Sequence, residues 1–113
     1  MDVQSPLQLV LITAPDLETA RKLAQALVRS KIAACVNISP GLVSIYHWEG
    51  ALQEDQEVLL IVKTREAHLE SRLIPLVHEL HPFDLPEIIS IPIQGGSQDY
   101  LDWIREETEG DGV

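Results

Sequence analysis

The side chains best suited to metal chemistry are one cysteine, Cys35, and four histidines, His47, His68, His78 and His81. Imidazole nitrogen and thiolate sulfur are ligands that copper favours. None of these residues forms a close metal-binding pair such as Cys-x-x-Cys or His-x-x-x-His. Only His78 and His81, three residues apart, could share one face of a helix end. Spacing alone therefore predicts no metal site, and we expect Cys35 to be a small apolar residue of the core.

A second group of residues combines aromatic rings with charged groups at predicted strand ends or on the last helix. Its members are Tyr46, Trp48, Lys63, Glu87 and Trp103. If a hairpin crosses a neighbouring subunit, these residues could converge at the subunit junction, where the Lys63 ammonium beside aromatic rings would bind a small anion. The alternative is that Trp48 and Trp103 pack as interface anchors, because aromatic residues are enriched in subunit contacts.

Catalytic motifs are missing from the sequence. It contains no nucleophile elbow of the form Gly-x-Ser-x-Gly, no phosphate-binding loop and no His-Glu-x-x-His pair. Lys63 and Glu87 would form a proton-transfer pair only if the fold brought them together. The acidic runs near residues 54–57 and 106–109 are typical of solvated surface. We therefore expect no enzymatic activity and no required cofactor. An enzyme with a Lys/Glu site remains one alternative for function.

Hydrophobic periodicity predicts the elements that must position these residues. In chain order they are a strand at 7–14, a helix at 16–30, a strand at 32–48 bent at Pro40-Gly41, a polar turn at 49–56, a strand at 57–64, a helix at 65–80 capped by Thr64 and kinked at Pro75, a strand at 87–93, and a helix at 98–107 capped by Ser97. The order β-α-β-β-α-β-α predicts an α+β fold, a ferredoxin-like split βαβ sandwich with an added C-terminal helix. We expect one domain over residues 1–113, with an ordered core at about 7–107 and loose termini.

Composition limits the partners and the compartment. With 8 basic and 18 acidic side chains the formal net charge is −10, which argues against nucleic acid and against an anionic membrane surface. No apolar run approaches the ~18 residues of a membrane-spanning helix, and the first residues lack the positive region of a signal peptide. A single cysteine rules out an internal disulfide. These features together predict a cytoplasmic protein.

One face of the predicted sheet lacks a cover. Two main helices would cover one face, yet apolar residues fill the strands almost continuously, as in a sheet that is buried on both sides. A long two-stranded ribbon is also marginal in water by itself, and its unpaired edges invite pairing. The residues therefore predict a need for partner subunits, without giving their number.

Several motifs in their order along the chain resemble the CutA family of divalent-cation-tolerance proteins over about residues 7–107. The motifs are Thr13-Ala14-Pro15-Asp16, Ala33-Ala34-Cys35-Val36-Asn37-Ile38, Pro40-Gly41, Ser44-Ile45-Tyr46-His47-Trp48-Glu49-Gly50, Lys63-Thr64, His81-Pro82-Phe83, Pro86-Glu87-Ile88-Ile89 and Tyr100-Leu101-Asp102-Trp103. The resemblance implies a ferredoxin-like subunit, a tight homotrimer like that of the PII signalling proteins, and a role in tolerance of copper and other divalent metals.

The resemblance also implies a candidate metal ligand. Some family members are assigned a copper site made by one cysteine and two adjacent histidines, and here those positions hold Ile12, Leu80 and His81. Only His81 matches, so we expect weak, non-stoichiometric binding of copper(II) or another divalent cation. The alternative role for His81 is a hydrogen bond that anchors its loop. A PII-like small-molecule sensor or adaptor that uses clefts between subunits is the second alternative for function.

Overall fold

A computed structural model describes residues 5–110 as a four-stranded antiparallel sheet with helices on both of its faces. The strands are β1 (Leu7–Ala14), β2 (Ala33–Trp48), β3 (Ala51–Arg65) and β4 (Ile88–Pro92), and the helices are α1 (Leu17–Arg29), α2 (Ile74–Leu80) and α3 (Gln98–Glu107). The strands lie in the order β2-β3-β1-β4, and every neighbouring pair is antiparallel. The α+β class predicted from the sequence is therefore confirmed. The expectation of loose termini concerns mainly residues 1–4 and 111–113, which lie outside the described residues.

The main core lies between the sheet and the helices α1 and α2. Alternate residues of β1 and β3 point toward these helices and are almost completely buried, and they include Val10, Ile12, Leu60 and Val62. The stripe of α1 that packs against them contains Ala20, Leu23, Ala24 and Leu27. Helix α1 begins where Asp16 caps it, because the Asp16 carboxylate accepts a hydrogen bond from the Thr19 backbone N–H at 2.7 Å. That bond also lowers the pKa of Asp16.

The β2–β3 hairpin is longer and its turn tighter than the sequence pattern predicted. The polar segment from Ala51 to Gln56 continues strand β3, so the turn consists of Glu49 and Gly50 alone. Both residues have positive φ, 51° and 81°, as a two-residue hairpin turn requires. The prediction of a turn over 49–56 was wrong because polar residues on an exposed ribbon lack the buried face that makes a strand recognisable.

The predicted bend at Pro40-Gly41 is confirmed as a bulge in β2. Ser39 pairs with Leu59 and Leu42 pairs with Glu57, so β2 contains one more residue than β3 across this interval. Gly41 has a φ of 87°, a conformation that glycine adopts without strain.

The segment after β3 is not the single helix that was predicted over residues 65–80. Strand β3 runs through Arg65, and it is followed by a 3₁₀ turn at Glu66–His68, a π-helical segment at Leu69–Leu73 and the short helix α2. Thr64 is not a cap: it is fully buried, and its hydroxyl donates to the Ile32 carbonyl. Pro75 falls in the first turn of α2, where its missing N–H costs little, so the expected kink is replaced by a change of helix type.

Helix α3 covers one end of the other sheet face and is held by basic side chains from the end of β3 and from the 3₁₀ turn that follows it. Its residue Ile104 packs with Leu7 and Ala34. The Arg65 guanidinium donates to the Thr108 hydroxyl at 2.9 Å and to the Arg105 carbonyl, while His68 Nε2 donates to the Thr108 carbonyl at 2.7 Å. Thr108, which directly follows α3, is fully buried.

His68 gives the folded protein a pH-dependent contribution to stability. Burial lowers the pKa of His68 below its usual 6.5, and the charges of Arg72 and Arg65 lower it further against the effect of the Thr108 hydrogen bond. The folded state therefore binds the His68 proton less readily than the unfolded state does. Its stabilising contribution is complete above about pH 6.5 and is lost as the pH falls through the lower folded-state pKa.

We predict that the denaturant midpoint of unfolding falls between about pH 7.5 and about pH 5.5, and that His68→Gln reduces this fall. Glutamine keeps a donor for the Thr108 carbonyl but does not titrate. His78→Gln, at an exposed position of α2, is the matched control and should keep the slope of the original chain. Equal slopes for all three proteins at one protein concentration would contradict the prediction.

Candidate functional site

A cleft of about 720 Å³ lies between the β2–β3 hairpin and the loop that joins α2 to β4. Three of the five residues that the sequence analysis grouped together line this cleft, namely Tyr46, Trp48 and Glu87. The other two, Lys63 and Trp103, do not. The structure therefore brings together part of the predicted site within a single chain.

Lys63 lies on the same sheet face as the cleft but farther along β3. Lys63 pairs with Leu9 and Cys35. The β1 residue that lines the cleft is Thr13, which pairs with Leu59. Four residues of strand separate Leu59 from Lys63, a distance of about 13 Å. The Lys63 ammonium instead contacts the Asn37 side-chain oxygen and lies 3.9 Å from Cys35 Sγ.

The register also separates Lys63 from Glu87. Glu87 directly precedes Ile88, which pairs with Ile12 next to Thr13, whereas Lys63 lies at the Leu9 end of β1. The structure thus does not bring together the two residues considered for proton transfer. Cys35, expected to be buried, is only half-buried beside Lys63.

Trp103 lies on α3, where its ring centroid is 5.5 Å from that of Tyr100. Helix α3 packs over the Leu7 and Ala34 end of the sheet, and the cleft lies toward the opposite end of β1. The two tryptophans of the chain, Trp48 and Trp103, are therefore in different environments, one in the cleft and one outside it.

Apart from Thr13 of β1, the walls of the cleft come from two elements. The hairpin contributes Ser44, Ile45, Tyr46, Trp48 and Glu57, and the loop contributes Pro82, Phe83, Asp84, Leu85 and Glu87. Since Tyr46 pairs with Gln53 and Ser44 with Asp55, the cleft side of the outer hairpin is polar and aromatic. Three aromatic rings, those of Tyr46, Trp48 and Phe83, border the space.

The electrostatic character of the cleft is acidic. Glu57, Asp84 and Glu87 line it, and among the residues that the structure describes neither lysine nor arginine does. The Tyr46 hydroxyl donates a hydrogen bond to the Asp55 carboxylate, and this bond raises the pKa of Tyr46. Tyr46 therefore remains neutral at physiological pH. The cleft offers negative charge and ring faces, which is unfavourable for the small anion expected from the sequence.

His81 anchors the loop that forms one wall of the cleft. Its Nδ1 accepts a hydrogen bond from the Phe83 backbone N–H at 3.1 Å, so Nε2 carries the proton and donates to the Thr13 carbonyl at 2.8 Å. The His81 ring is buried and lies 5.1 Å from the ring of Phe83. This is the loop-anchoring hydrogen bond that the sequence analysis gave as the alternative for His81.

A metal at His81 would have to replace one of these two hydrogen bonds. Both ring nitrogens are in use, and no group of three or more histidine, cysteine, aspartate or glutamate residues suited to a metal ion is found within residues 5–110. The predicted ligand neighbours are apolar, with Ile12 fully buried in the core and Leu80 at the end of α2. The geometry gives His81 a structural role and adds no further ligand beside it.

Sequence reasoning missed several residues of the cleft, chiefly Glu57, Asp84 and Phe83. Glu57 was taken as the start of a strand after a solvated acidic run, and the loop residues carry no periodic signal. Once the hairpin register is known, strand alternation places Glu57 on the cleft side, because Glu57 pairs with Leu42 on the face that also carries Ser44 and Tyr46. The loop residues could not be found in this way.

The family model described as "CutA1 divalent ion tolerance protein" matches residues 8–107 of the chain. Among curated relatives, the "Divalent-cation tolerance protein CutA" of Thermus thermophilus is 54% identical over 101 residues, which cover 89% of this chain and 97% of that protein. "Protein CutA, chloroplastic" of Arabidopsis thaliana is 48% identical over 103 residues, which cover 91% of this chain and 56% of that longer protein.

Solved structures agree with these matches. The divalent cation tolerance protein of Thermus thermophilus superposes with a TM-score of 0.88 at 52% identity, covering 90% of this chain and 98% of that one. CutA1 from Oryza sativa gives a TM-score of 0.91 at 44% identity, covering 96% and 98% of the two chains. The "Periplasmic divalent cation tolerance protein CutA" of Archaeoglobus fulgidus gives 0.87 at 40% identity, covering 91% and 99%.

Proposed function

The chain belongs to the CutA1 divalent ion tolerance family, and from this premise we propose that it supports tolerance of divalent metals as a non-enzymatic homotrimer that binds copper(II) or another divalent cation weakly. The observation that carries the proposal is the family match over residues 8–107, together with the 54% identical relative whose name states cation tolerance. The strand order β2-β3-β1-β4 with all pairs antiparallel supports the ferredoxin-like arrangement within this proposal.

The sheet face opposite α1 and α2 supports the trimer. Helix α3 covers only its Leu7 end, and farther along an apolar strip is left half-buried or exposed. The strip consists of Leu9, Leu11, Leu59, Ile61, Ile89 and Ile91, and we call it the open sheet face. Both outer strands, β2 and β4, also have a free edge within the described chain. A closed set of three subunits would cover the open sheet face and pair the free edges.

A cytoplasmic location belongs to the same proposal and rests on the acidic composition and the single cysteine. Within residues 5–110 no helix is long and apolar enough to cross a bilayer. The names of two relatives place those proteins in the chloroplast and in the periplasm. Location in the native cell is best measured directly by fractionation.

We predict that copper(II) binds weakly and without a fixed stoichiometry, and that His81→Ala leaves the heats of a calorimetric titration nearly unchanged. The reason is that both nitrogens of His81 are already hydrogen-bonded, while the net charge of −10 attracts cations diffusely. His78→Ala, which removes an exposed histidine, is the matched control. One tightly bound copper per chain, lost in His81→Ala but kept in His78→Ala, would overturn the proposal of weak binding.

A second candidate function is a small-molecule sensor or adaptor of the PII type, and the cleft of about 720 Å³ favours it. Its volume falls within the range of ligand-binding pockets, and aromatic and charged groups line it together. A metabolite-dependent rise in melting temperature would support this candidate. The enzyme alternative gains no support, because Lys63 and Glu87 lie at different ends of the sheet face.

A further inference from the structure

The end of helix α3 is held within its own subunit by three basic side chains, Arg65, His68 and Arg72, and we call this contact the α3 latch. We propose that the α3 latch is proton-sensitive, so that protonation of His68 releases the end of α3 while the sheet and the main core stay folded. This inference goes beyond the proposed function, and it does not depend on which metal or small molecule the protein binds.

The first argument is the set of hydrogen bonds in the α3 latch. His68 Nε2 donates to the Thr108 carbonyl at 2.7 Å, and Arg72 Nη1 donates to the Gly110 carbonyl at 3.2 Å. The Arg65 guanidinium donates to the Thr108 hydroxyl at 2.9 Å. Each of the three side chains therefore holds an oxygen atom just after the end of α3, where carbonyl groups lack partners within the helix.

The second argument is the charge around the imidazole. His68 is buried, and the charges that act on it are those of Arg72, on the next turn of the same segment, and Arg65, at the end of β3. Arg72 Nη1 lies 3.5 Å from His68 Nε2, and from the end of α3 the imidazole meets the neutral Thr108 carbonyl. The carboxylates that flank His68 and Thr108 in the sequence are all exposed, and they are Glu66, Glu70, Glu107 and Glu109. A proton on His68 would thus add a third positive charge to a buried site, which is unfavourable.

The third argument is that withdrawal of any one of the three cations frees the end of α3. Arg72 also donates to the Ser30 carbonyl at 2.6 Å, so its guanidinium is fixed between the end of α1 and Gly110. Arg65 is buried and bound to Thr108. Whichever cation moves away from the other two, an oxygen atom after α3 loses its donor. Repulsion within the α3 latch is therefore relieved by opening it.

The fourth argument limits the release to α3. Ile104 of α3 packs with Leu7 and Ala34 in a small cluster of buried residues, separate from the main core between the sheet and the helices α1 and α2. Elements with few buried apolar contacts open at a lower free energy than core strands do. Loss of the α3 latch therefore opens the end of α3 first.

Amide hydrogen exchange of the full chain in its native assembly tests the inference. Mass spectrometry follows the exchange at about pH 7.5 and about pH 5.0, a range in which histidine side chains change charge most, at one protein concentration. The rates are corrected for the intrinsic effect of pH on exchange. We expect the amides of residues 105–109 to lose about fivefold in protection at the lower pH, while those of β1 and β3 lose less than about twofold.

Matched variants identify the residue responsible. His68→Gln keeps a donor for the Thr108 carbonyl but does not titrate, so its loss of protection at 105–109 should be less than about twofold. His78→Gln removes an exposed histidine of α2 and should keep the full loss. Arg72→Gln keeps an amide donor but removes one of the two charges beside His68, so its loss should be smaller than that of the original chain.

A measurement on the unaltered chain keeps the inference testable if His68→Gln does not fold. Labelling with ¹³C-histidine gives ring signals from the four histidines, and single glutamine variants of His47, His78 and His81 assign the His68 signal by elimination. We expect the His68 signal to titrate over the same pH range in which residues 105–109 lose protection.

Several results would overturn the inference. They are unchanged protection of residues 105–109 at the lower pH, an equal loss in β1 and β3, the same loss in His68→Gln as in the original chain, and a His68 titration that is complete before protection changes. A loss confined to the 82–87 loop would also overturn it, because the pH-sensitive group would then be His81, which anchors that loop.

Discussion

Arg65→Ala is expected to lower the free energy of unfolding by about 3 kcal/mol, because it removes the side chain that joins the end of α3 to the sheet. Arg65 is buried at the end of β3, and its guanidinium donates to the Thr108 hydroxyl and the Arg105 carbonyl. In the variant these buried acceptors lose a charged donor. Chemical denaturation at one fixed protein concentration measures the loss.

Two control variants separate this role of Arg65 from a general effect of charge. Arg21→Ala removes an exposed arginine from α1 and should change the free energy of unfolding by less than about 0.5 kcal/mol. Arg65→Lys keeps the charge but not the branched guanidinium, so its loss should be intermediate. Hydrogen exchange should also show faster opening of the α3 amides in Arg65→Ala than in Arg21→Ala. Equal stability of Arg65→Ala and Arg21→Ala would contradict the prediction.

Ile89→Lys is expected to dissociate the proposed trimer into single chains at about micromolar concentration. Ile89 lies on β4, pairs with Leu11 and is 50% exposed in the single chain, so the lysine costs the isolated subunit little. In an assembly that covers the open sheet face, the same lysine would place a charge in a desolvated contact of every subunit, at a cost of several kcal/mol each. Sedimentation equilibrium reports the mass directly.

Ser90→Lys is the matched control for this change, since Ser90 is the next residue of β4 and belongs to the opposite sheet face. It adds the same charge and should leave the mass of the assembly unchanged. Melting temperature should also rise with concentration for the original chain and for Ser90→Lys, but not for Ile89→Lys. A trimer that persists in Ile89→Lys with unchanged stability would place the subunit contact elsewhere.

Elements with a buried face could be predicted from the sequence. The bounds of β1 match the predicted 7–14, and α3 covers the predicted 98–107, because each element has an apolar side that imposes its period. Ser97 does precede α3, although its side chain makes no capping hydrogen bond. The segment after Arg65 could not be predicted, since its apolar spacing fits a regular helix while the structure uses 3₁₀, π and α turns in succession.

The cleft could be predicted only in part, for a related reason. Tyr46 and Trp48 were found because aromatic residues are conspicuous at a predicted strand end, and Glu87 because it begins the predicted strand at 87–93. Lys63 was placed with them by chemical type, but its position along β3 depends on the register, which the sequence does not state. Asp84 and Phe83 are set by a loop whose conformation depends on the His81 hydrogen bonds, a contact between residues far apart in the chain.

The single extra residue in β2 near Gly41 shifts the alternation of β2 from odd-numbered to even-numbered residues and bends the outer hairpin. Before it, odd-numbered residues such as Asn37 and Ser39 share a face with Leu59; beyond it, even-numbered residues such as Tyr46 occupy that face. Deleting Gly41 would make the pairing continuous and remove the local bend, but Leu42 would still lie opposite Glu57, so the same side chains would stay on each side of the distal ribbon. A change of one codon in length at this point would thus redirect the distal ribbon through the lost bend while keeping the same side chains on each of its sides.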